Sequence, residues 1–350
     1  MTIFKKSLFV FLIVMFSFGA VAPVFAATTV PTAVKPLVRL FYYVPGFATY
    51  YSYLANGNQA SIFAPQVYDV DISANLTGSI STTIGTVVSQ NNTPIMPLVS
   101  NSNFDPTIMH AILASPDLQD KLIAQLITQA KTNNYIGWQF DFEHMGATYR
   151  DQYTAFVQLA AKQLHASGLQ LSVAVVARTS DNPSDLPAGS WDNWAGVYDY
   201  TKLGAAVDFI TVMAYDEPGS TGPVAALPWV KQVLAYTEKD VPKSKISLGV
   251  PTYGWLWDTD TNTMVGSVAY QKVQNLLDAK TYTAMGFDSV SQTPWITYTQ
   301  GTGSSLVHYK IWYENEASLQ TKLTLAESQK IHGISLWVVG MEDPAIWKIL

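Results

Sequence analysis

The chain has 350 residues, of which 48% are hydrophobic and 13% charged, against roughly 25% charged in an average globular chain. Such a composition excludes a disordered polymer, and 20 basic against 26 acidic residues, a net of −6, excludes a surface built for phosphate backbones or anionic membranes. With no cysteine there is no disulfide, no thiol nucleophile and no Cys-ligated zinc or iron–sulfur site, so stability has to come from one large core.

In chain order, Lys5 and Lys6 precede an apolar run from Leu8 to Phe18, which Gly19 and Pro23 cut short before Val24-Phe25-Ala26. That is the pattern of a secretory signal peptide over residues 1–26. The alternative, a membrane anchor, lacks the ~20 apolar residues that a span needs. Cleavage leaves 18 basic against 26 acidic residues, a net of −8, on a protein expected outside the cell or at the wall. Residues 27–36 form a short Thr/Pro/Ala-rich linker to a body at 37–350.

Within that body, apolar strand-like runs occur at 38–44, 61–68, 93–99, 135–142, 169–176, 209–214, 245–250 and 333–338. Amphipathic stretches lie between several of them. The clearest starts at Ser115 as N-cap with Pro116 next, and sets Leu118, Leu122, Ile123, Leu126 and Ile127 on one face; 153–164, 227–235 and 319–329 behave alike. Near-continuously apolar strands alternating with helices predict an α/β fold, a closed parallel (β/α)8 TIM barrel. The aromatic-rich span 254–313, too long for one helix, predicts a small α+β insertion after the seventh strand, placed to wall a cleft.

Chemistry concentrates at the end of the fourth strand. Alternation puts Gln139, Asp141 and Glu143 on one face and Trp138, Phe140 and Phe142 on the other. The aromatic face suits the helices and the polar face the barrel interior. Two acids ~6 to 7 Å apart along a strand perturb each other's proton affinity, and one of them then stays protonated as a general acid must. A pair of solvated carboxylates is the plainer reading. On the sixth strand Met213 and Tyr215 share parity, and a Tyr hydroxyl there can donate to a substrate carbonyl. Trp337 ends the eighth strand as a plate for a sugar ring. Taken singly, Tyr215 and Trp337 also read as core aromatics. The five histidines have no ligand-like spacing, so no metal and no cofactor is expected.

These residues carry a resemblance to glycoside hydrolase family 18, the chitinase-type barrel. Its fourth-strand signature, Asp-Gly-x-Asp-x-Asp-x-Glu, is met by Ile136-Gly137-Trp138-Gln139-Phe140-Asp141-Phe142-Glu143, with Gly137, Asp141 and Glu143 kept and the first two Asp lost. Tyr42-Tyr43-Val44-Pro45, Met96 to Asn101, Met213-Ala214-Tyr215-Asp216-Glu217, Leu248 to Gly254 and Gly333 to Trp337 match in order. Asp-Phe-Glu, Tyr-Asp-Glu and Trp312-Tyr313-Glu314 look most like the branch of spore-cortex peptidoglycan N-acetylglucosaminidases, without its LysM repeats.

The resemblance implies substrate-assisted catalysis. Glu143 would be the general acid, Asp141 would orient the substrate's acetamido group, and Tyr215 would donate to its carbonyl oxygen. Trp337 would floor the subsite, and Tyr42, Gln139, Met213, Asp216 and Tyr253 would complete substrate binding. Gln139 stands where chitinases have an Asp that shares a proton with its neighbour, and a neutral amide there can still hydrogen-bond Asp141. Trp255 stands where chitinases commonly carry Arg. The implied function is a secreted monomeric hydrolase of β-linked N-acetylglucosamine polymers, with a polysaccharide and no nucleic acid as partner. Peptidoglycan is the first expectation, chitin or its oligomers the second, and a sugar-binding lectin without turnover the third.

Overall fold

The computed structural model describes residues 36–350, so the expected signal segment 1–26 and linker residues 27–35 lie outside the described residues. The strands in chain order are β1 (Val38–Tyr43), β2 (Ile62–Val70), β3 (Leu76–Gly78), β4 (Leu98–Asn101), β5 (Gly137–Asp141), β6 (Gln170–Val176) and β7 (Phe209–Met213). They continue with β8 (Ile246–Pro251), β9 (Gly254–Asp258), β10 (Thr263–Val268), β11 (Tyr282–Asp288), β12 (Thr293–Gln300), β13 (Val307–Trp312) and β14 (Gly333–Trp337). Eight of them pair in the order β1-β14-β8-β7-β6-β5-β4-β2, and β2 returns to β1. All these pairings are parallel, with Phe41 opposite Leu336 and Phe63 as the ring closes. This is a closed (β/α)8 barrel, and the short β3 adds antiparallel to the end of β2.

Alternation along β5 divides the two kinds of interior. Outward, Trp138 and Phe140 are fully buried in the layer between strands and helices. The indole of Trp138 donates to the Leu126 carbonyl at 2.9 Å, and Phe140 stacks on Phe156 at 5.7 Å. Inward, Gln139 meets hydroxyls instead. Its Nε2 donates to Ser172 Oγ at 2.7 Å and to Thr211 Oγ1 at 3.1 Å, Thr211 in turn meets Ser335 at 3.1 Å, and Ser335 meets Ser247 at 2.7 Å. Buried polar groups persist only when bonded to one another, and this belt satisfies that condition across the barrel. Gly137 begins β5 because a Cβ there would lie 2.0 Å from the Gln170 carbonyl oxygen of the next strand.

The third predicted strand, 93–99, shifts toward its carboxyl end. Pro94 and Pro97 interrupt the ladder, so only an isolated bridge joins Ile95 to Phe63 and the strand proper begins at Leu98. The helix expected from Ser115 spans Pro116–Asn133, with the Ser115 hydroxyl accepting from the Leu118 amide. Helices at Phe47–Asn56, Thr82–Gln90 and Pro106–Leu113 have no counterpart among the predicted stretches.

After β8 the chain leaves the barrel for an antiparallel sheet ordered β10-β9-β13-β12-β11. The helix Tyr270–Ala279 covers one face, with Val273 and Leu276 against Ile296, Tyr298, Ile311 and Tyr313. Glu314 does not reach the cleft. It pairs with Lys322 at 2.8 Å, both side chains nearly inaccessible, and so ties the end of β13 to the helix Glu316–Gln329.

Candidate active site

Because the eight strands run parallel, their carboxyl ends share one rim, and Asp141, Glu143, Tyr215, Asp216 and Trp337 converge there. They line a cavity of about 310 Å³ together with Tyr42, Met213, Phe104, Trp194 and Trp229. Glu143 lies just beyond β5, and Asn101 at the end of β4 fixes it. The Asn101 Oδ1 accepts from the Glu143 amide at 3.1 Å, while its Nδ2 donates to the Glu143 carbonyl at 3.3 Å and the Asp105 carbonyl at 2.9 Å. The chain then turns through His144 at φ 60°, which leaves the Glu143 side chain facing the cavity.

Burial raises both carboxyls. Asp141 is held above the ordinary carboxylate range by desolvation, and its Oδ1 is buried without a hydrogen-bond partner. Glu143 is raised by desolvation first and then by the negative charges of Asp141 and Asp216. The physical effect is an acid that keeps its proton near neutrality, which a leaving-group donor requires. Asp216 is raised by burial too, opposed by hydrogen bonds from Tyr253 and Trp255. The Tyr253 hydroxyl donates to Asp216 Oδ1 at 2.5 Å.

Tyr215 sits with its ring against β8, where Gly249 makes room: a Cβ at 249 would lie 3.0 Å from that ring and 2.5 Å from the Val212 carbonyl oxygen. Trp337 meets Tyr42 edge-on at 5.2 Å. Thr252 fixes this plate, its amide donating to the Trp337 carbonyl at 2.8 Å and its hydroxyl to the Val338 carbonyl at 2.6 Å.

Gln139 is the correction. It does not line the cavity, because it is fully buried one layer below, its amide committed to Ser172 and Thr211 and its carbonyl accepting from the Tyr42 hydroxyl. It therefore bonds Tyr42 and not Asp141, and acts on a substrate only through the residue it holds. Tyr253 and Trp255 line an adjoining cavity of about 640 Å³ that shares Trp194, Asp216, Pro218 and Trp337 with the first.

Sequence reasoning missed the rim. Trp194 lies in the short helical turn Trp191–Ala195 after β6, and that turn hangs from Arg178, whose side chain is 1% exposed. Arg178 stacks over Tyr200 at 4.2 Å and donates to the Ala195 and Tyr198 carbonyls at 2.8 and 2.9 Å. Asn101 and Thr252 fell within the matched segments, yet nothing in spacing marks an amide or hydroxyl as a clamp.

A family model for glycosyl hydrolases family 18 matches residues 28–342. The chain belongs to that family. It is 30% identical over 261 residues to the uncharacterized glycosylase YvbX of Bacillus subtilis, covering 72% of this chain and 73% of the relative. Against other Bacillus relatives it spans 58% and 62% of their length. Among solved structures, the spore cortex-lytic enzyme SleL of Bacillus cereus superposes with a TM-score of 0.78 at 26% identity, over 89% of this chain and 73% of that one. A chitinase from Chromobacterium violaceum gives 0.77 at 26% identity, over 89% and 97%. The molecule is a family 18 glycosidase, related to cortex-lytic enzymes and to chitinases.

Proposed function

We propose that this family 18 hydrolase is an exported β-N-acetylglucosaminidase that cleaves peptidoglycan glycan strands with substrate-assisted, retaining chemistry. The observation that carries the reading is one cavity holding Glu143, Asp141 and Tyr215 together, with the Glu143 carboxyl raised by burial and by two neighbouring charges. In the first step the substrate's acetamido oxygen attacks the anomeric carbon, and the bond to the leaving oxygen breaks as Glu143 gives that oxygen its proton. Asp141 offsets the positive charge of the resulting oxazolinium, and Tyr215 donates to the acetamido oxygen to hold it in line. In the second step Glu143, now a carboxylate, takes a proton from the water that opens the ring. No enzyme carboxylate attacks, so the two-carboxylate scheme does not apply. Trp337 supports the sugar face, with Tyr42, Met213, Asp216 and Tyr253 around it.

Similarity to the cortex-lytic structure supports peptidoglycan as the polymer. The chitinase likeness, which spans nearly that whole chain, favours chitin oligomers as the second reading. A thiazoline analogue of the cyclised intermediate is expected to inhibit competitively, because enzymes bind species resembling their high-energy states most tightly. Equal turnover of acetylated and deacetylated substrates without thiazoline inhibition defeats the mechanism. Mass spectrometry of products from peptidoglycan and chitohexaose in parallel decides the polymer.

A further inference from the structure

The antiparallel sheet after β8 has two faces, and one of them carries a row of tryptophans leading away from the cleft. The helix Tyr270–Ala279 covers the face of Ile296 and Ile311, so alternation turns Trp255, Trp257, Lys310, Trp312 and Trp295 to the other. Register makes them neighbours: Trp295 pairs with Trp312, Trp312 with Trp255, and Lys310 with Trp257. Trp255 and Trp257 line the adjoining cavity beside Trp337, and Trp312 packs against them. The row therefore leaves the cleft and runs two strand spacings, about 10 Å, from Trp255 to Trp295. At its far end Gly286 lets the Trp295 ring lie flat across β11, since a Cβ there would come within 2.8 Å of that ring.

Lys310 sits in this row as a cation without an anion. Its Nζ lies 3.8 Å from the centroid of the Trp312 ring and 4.8 Å from that of Trp295. Among the described residues no acceptor bonds it, and although the side chain is half-buried the Nζ stays open to solvent. Burial lowers its pKa, against the attraction of Asp288, whose Oδ1 is committed to the Val290 and Ser291 amides and the Ser291 hydroxyl. His308, two residues earlier on the same face, is by contrast paired with Asp260 at 2.9 Å. Among the described residues no Lys, Arg or His lines either cavity, so Lys310 is the first positive charge that a glycan leaving the cleft along this row meets.

We infer that Trp295, Lys310 and Trp312 form an outlying site for an acidic glycan, taking the lactyl carboxylate of a muramoyl unit in a strand whose other end occupies the cleft. The inference rests on the glycosidase reading of that cleft. The indoles offer an apolar wall to sugar rings. The ammonium between them, already stripped of part of its water, gains more from an incoming anion than one in open solvent does. Chitin carries no such charge, so the site favours the acidic polymer at a distance from the bond being cleaved.

The test measures kcat and KM on an octasaccharide that alternates N-acetylglucosamine with N-acetylmuramic acid, its lactyl groups free or capped as the methyl amide, with chitotetraose as the short neutral reference. The wild-type protein is expected to show a KM about fivefold lower on the free acid at the same kcat, the upper end for an accessible ion pair. Added salt narrows that difference. Lys310→Gln, checked for folding by near-UV circular dichroism, brings the two KM values together and leaves chitotetraose turnover unchanged, whereas Lys310→Arg keeps them apart. Equal KM values on the two forms in the wild type, or a difference that survives Lys310→Gln, overturn the inference. So does a Lys310→Gln protein that loses rate on all three sugars alike, since the lysine then only supports the sheet. No turnover of any of the three sugars by the wild type, chitotetraose included, defeats the glycosidase reading instead.

Discussion

The two faces of β5 differ in what they are made to withstand. Outward, Trp138 and Phe140 pack among aliphatic and aromatic side chains, with the Trp138 indole bonded to one carbonyl, and this burial stabilises the fold. Inward, two residues in the same strand lead to a hydroxyl belt and a carboxyl with an unpartnered oxygen. A displacement of one residue in register would exchange the two sets. The comparison teaches that this chain concentrates stability on one side of a strand and the strain of function on the other, so the two can be disturbed separately.

The sharpest way to break that separation is at Glu143. Glu143→Gln is expected to lower kcat on the order of a hundredfold or more, the contribution of a positioned general acid, with an unchanged fold by circular dichroism. Activity near wild type rejects the assignment. On the opposite face, Trp138→Ala should cost about 3–5 kcal/mol of stability in denaturant unfolding. Its folded fraction should keep wild-type kcat/KM, and a selective loss of rate would mean that the two faces are not independent.

Tyr215→Phe removes a donor and keeps the ring, so thiazoline affinity should weaken by about 1–3 kcal/mol, read by inhibition titration. Smaller effects follow from pH. Because burial raises Glu143, its acid form persists above the ordinary carboxylate range, and kcat/KM is expected to fall as pH rises through the raised value. Stability follows the same sign: the folded protein binds more protons here than the unfolded chain, so the contribution is fully present below the unfolded pKa and fades as pH rises through the folded one. Thermal melts of the wild type and Glu143→Gln at pH 5 and 8 check it, since the variant should lose less on going to the higher pH.

All eight barrel strands were legible because strands buried on both faces read as apolar runs. The lone misplacement, 93–99, came from counting Pro94 and Pro97 as strand. The acids were legible by parity alone. Gln139 was not, since parity places it on the inward face without saying how deep, and the depth is set by Ser172, Thr211 and Tyr42 from other strands. Asn101 is the last residue of β4 and Trp194 lies in the short helical turn Trp191–Ala195, and neither position is marked by a hydrophobic period. Their roles come from closure of the ring, which brings the ends of distant strands to one rim.

Gly249 has a consequence for ancestry. The missing side chain is what lets Tyr215 lie where it does, and an added methyl would also press on the Val212 carbonyl at 2.5 Å. A descendant that kept the tryptophans and dropped turnover, becoming a sugar-binding protein, would be released from that constraint and free to accept Gly249→Ala with a shifted β7. Restoring Glu143 alone would not then restore the enzyme, because the seat of Tyr215 would have closed. Drift at a residue that never touches substrate would make the loss irreversible.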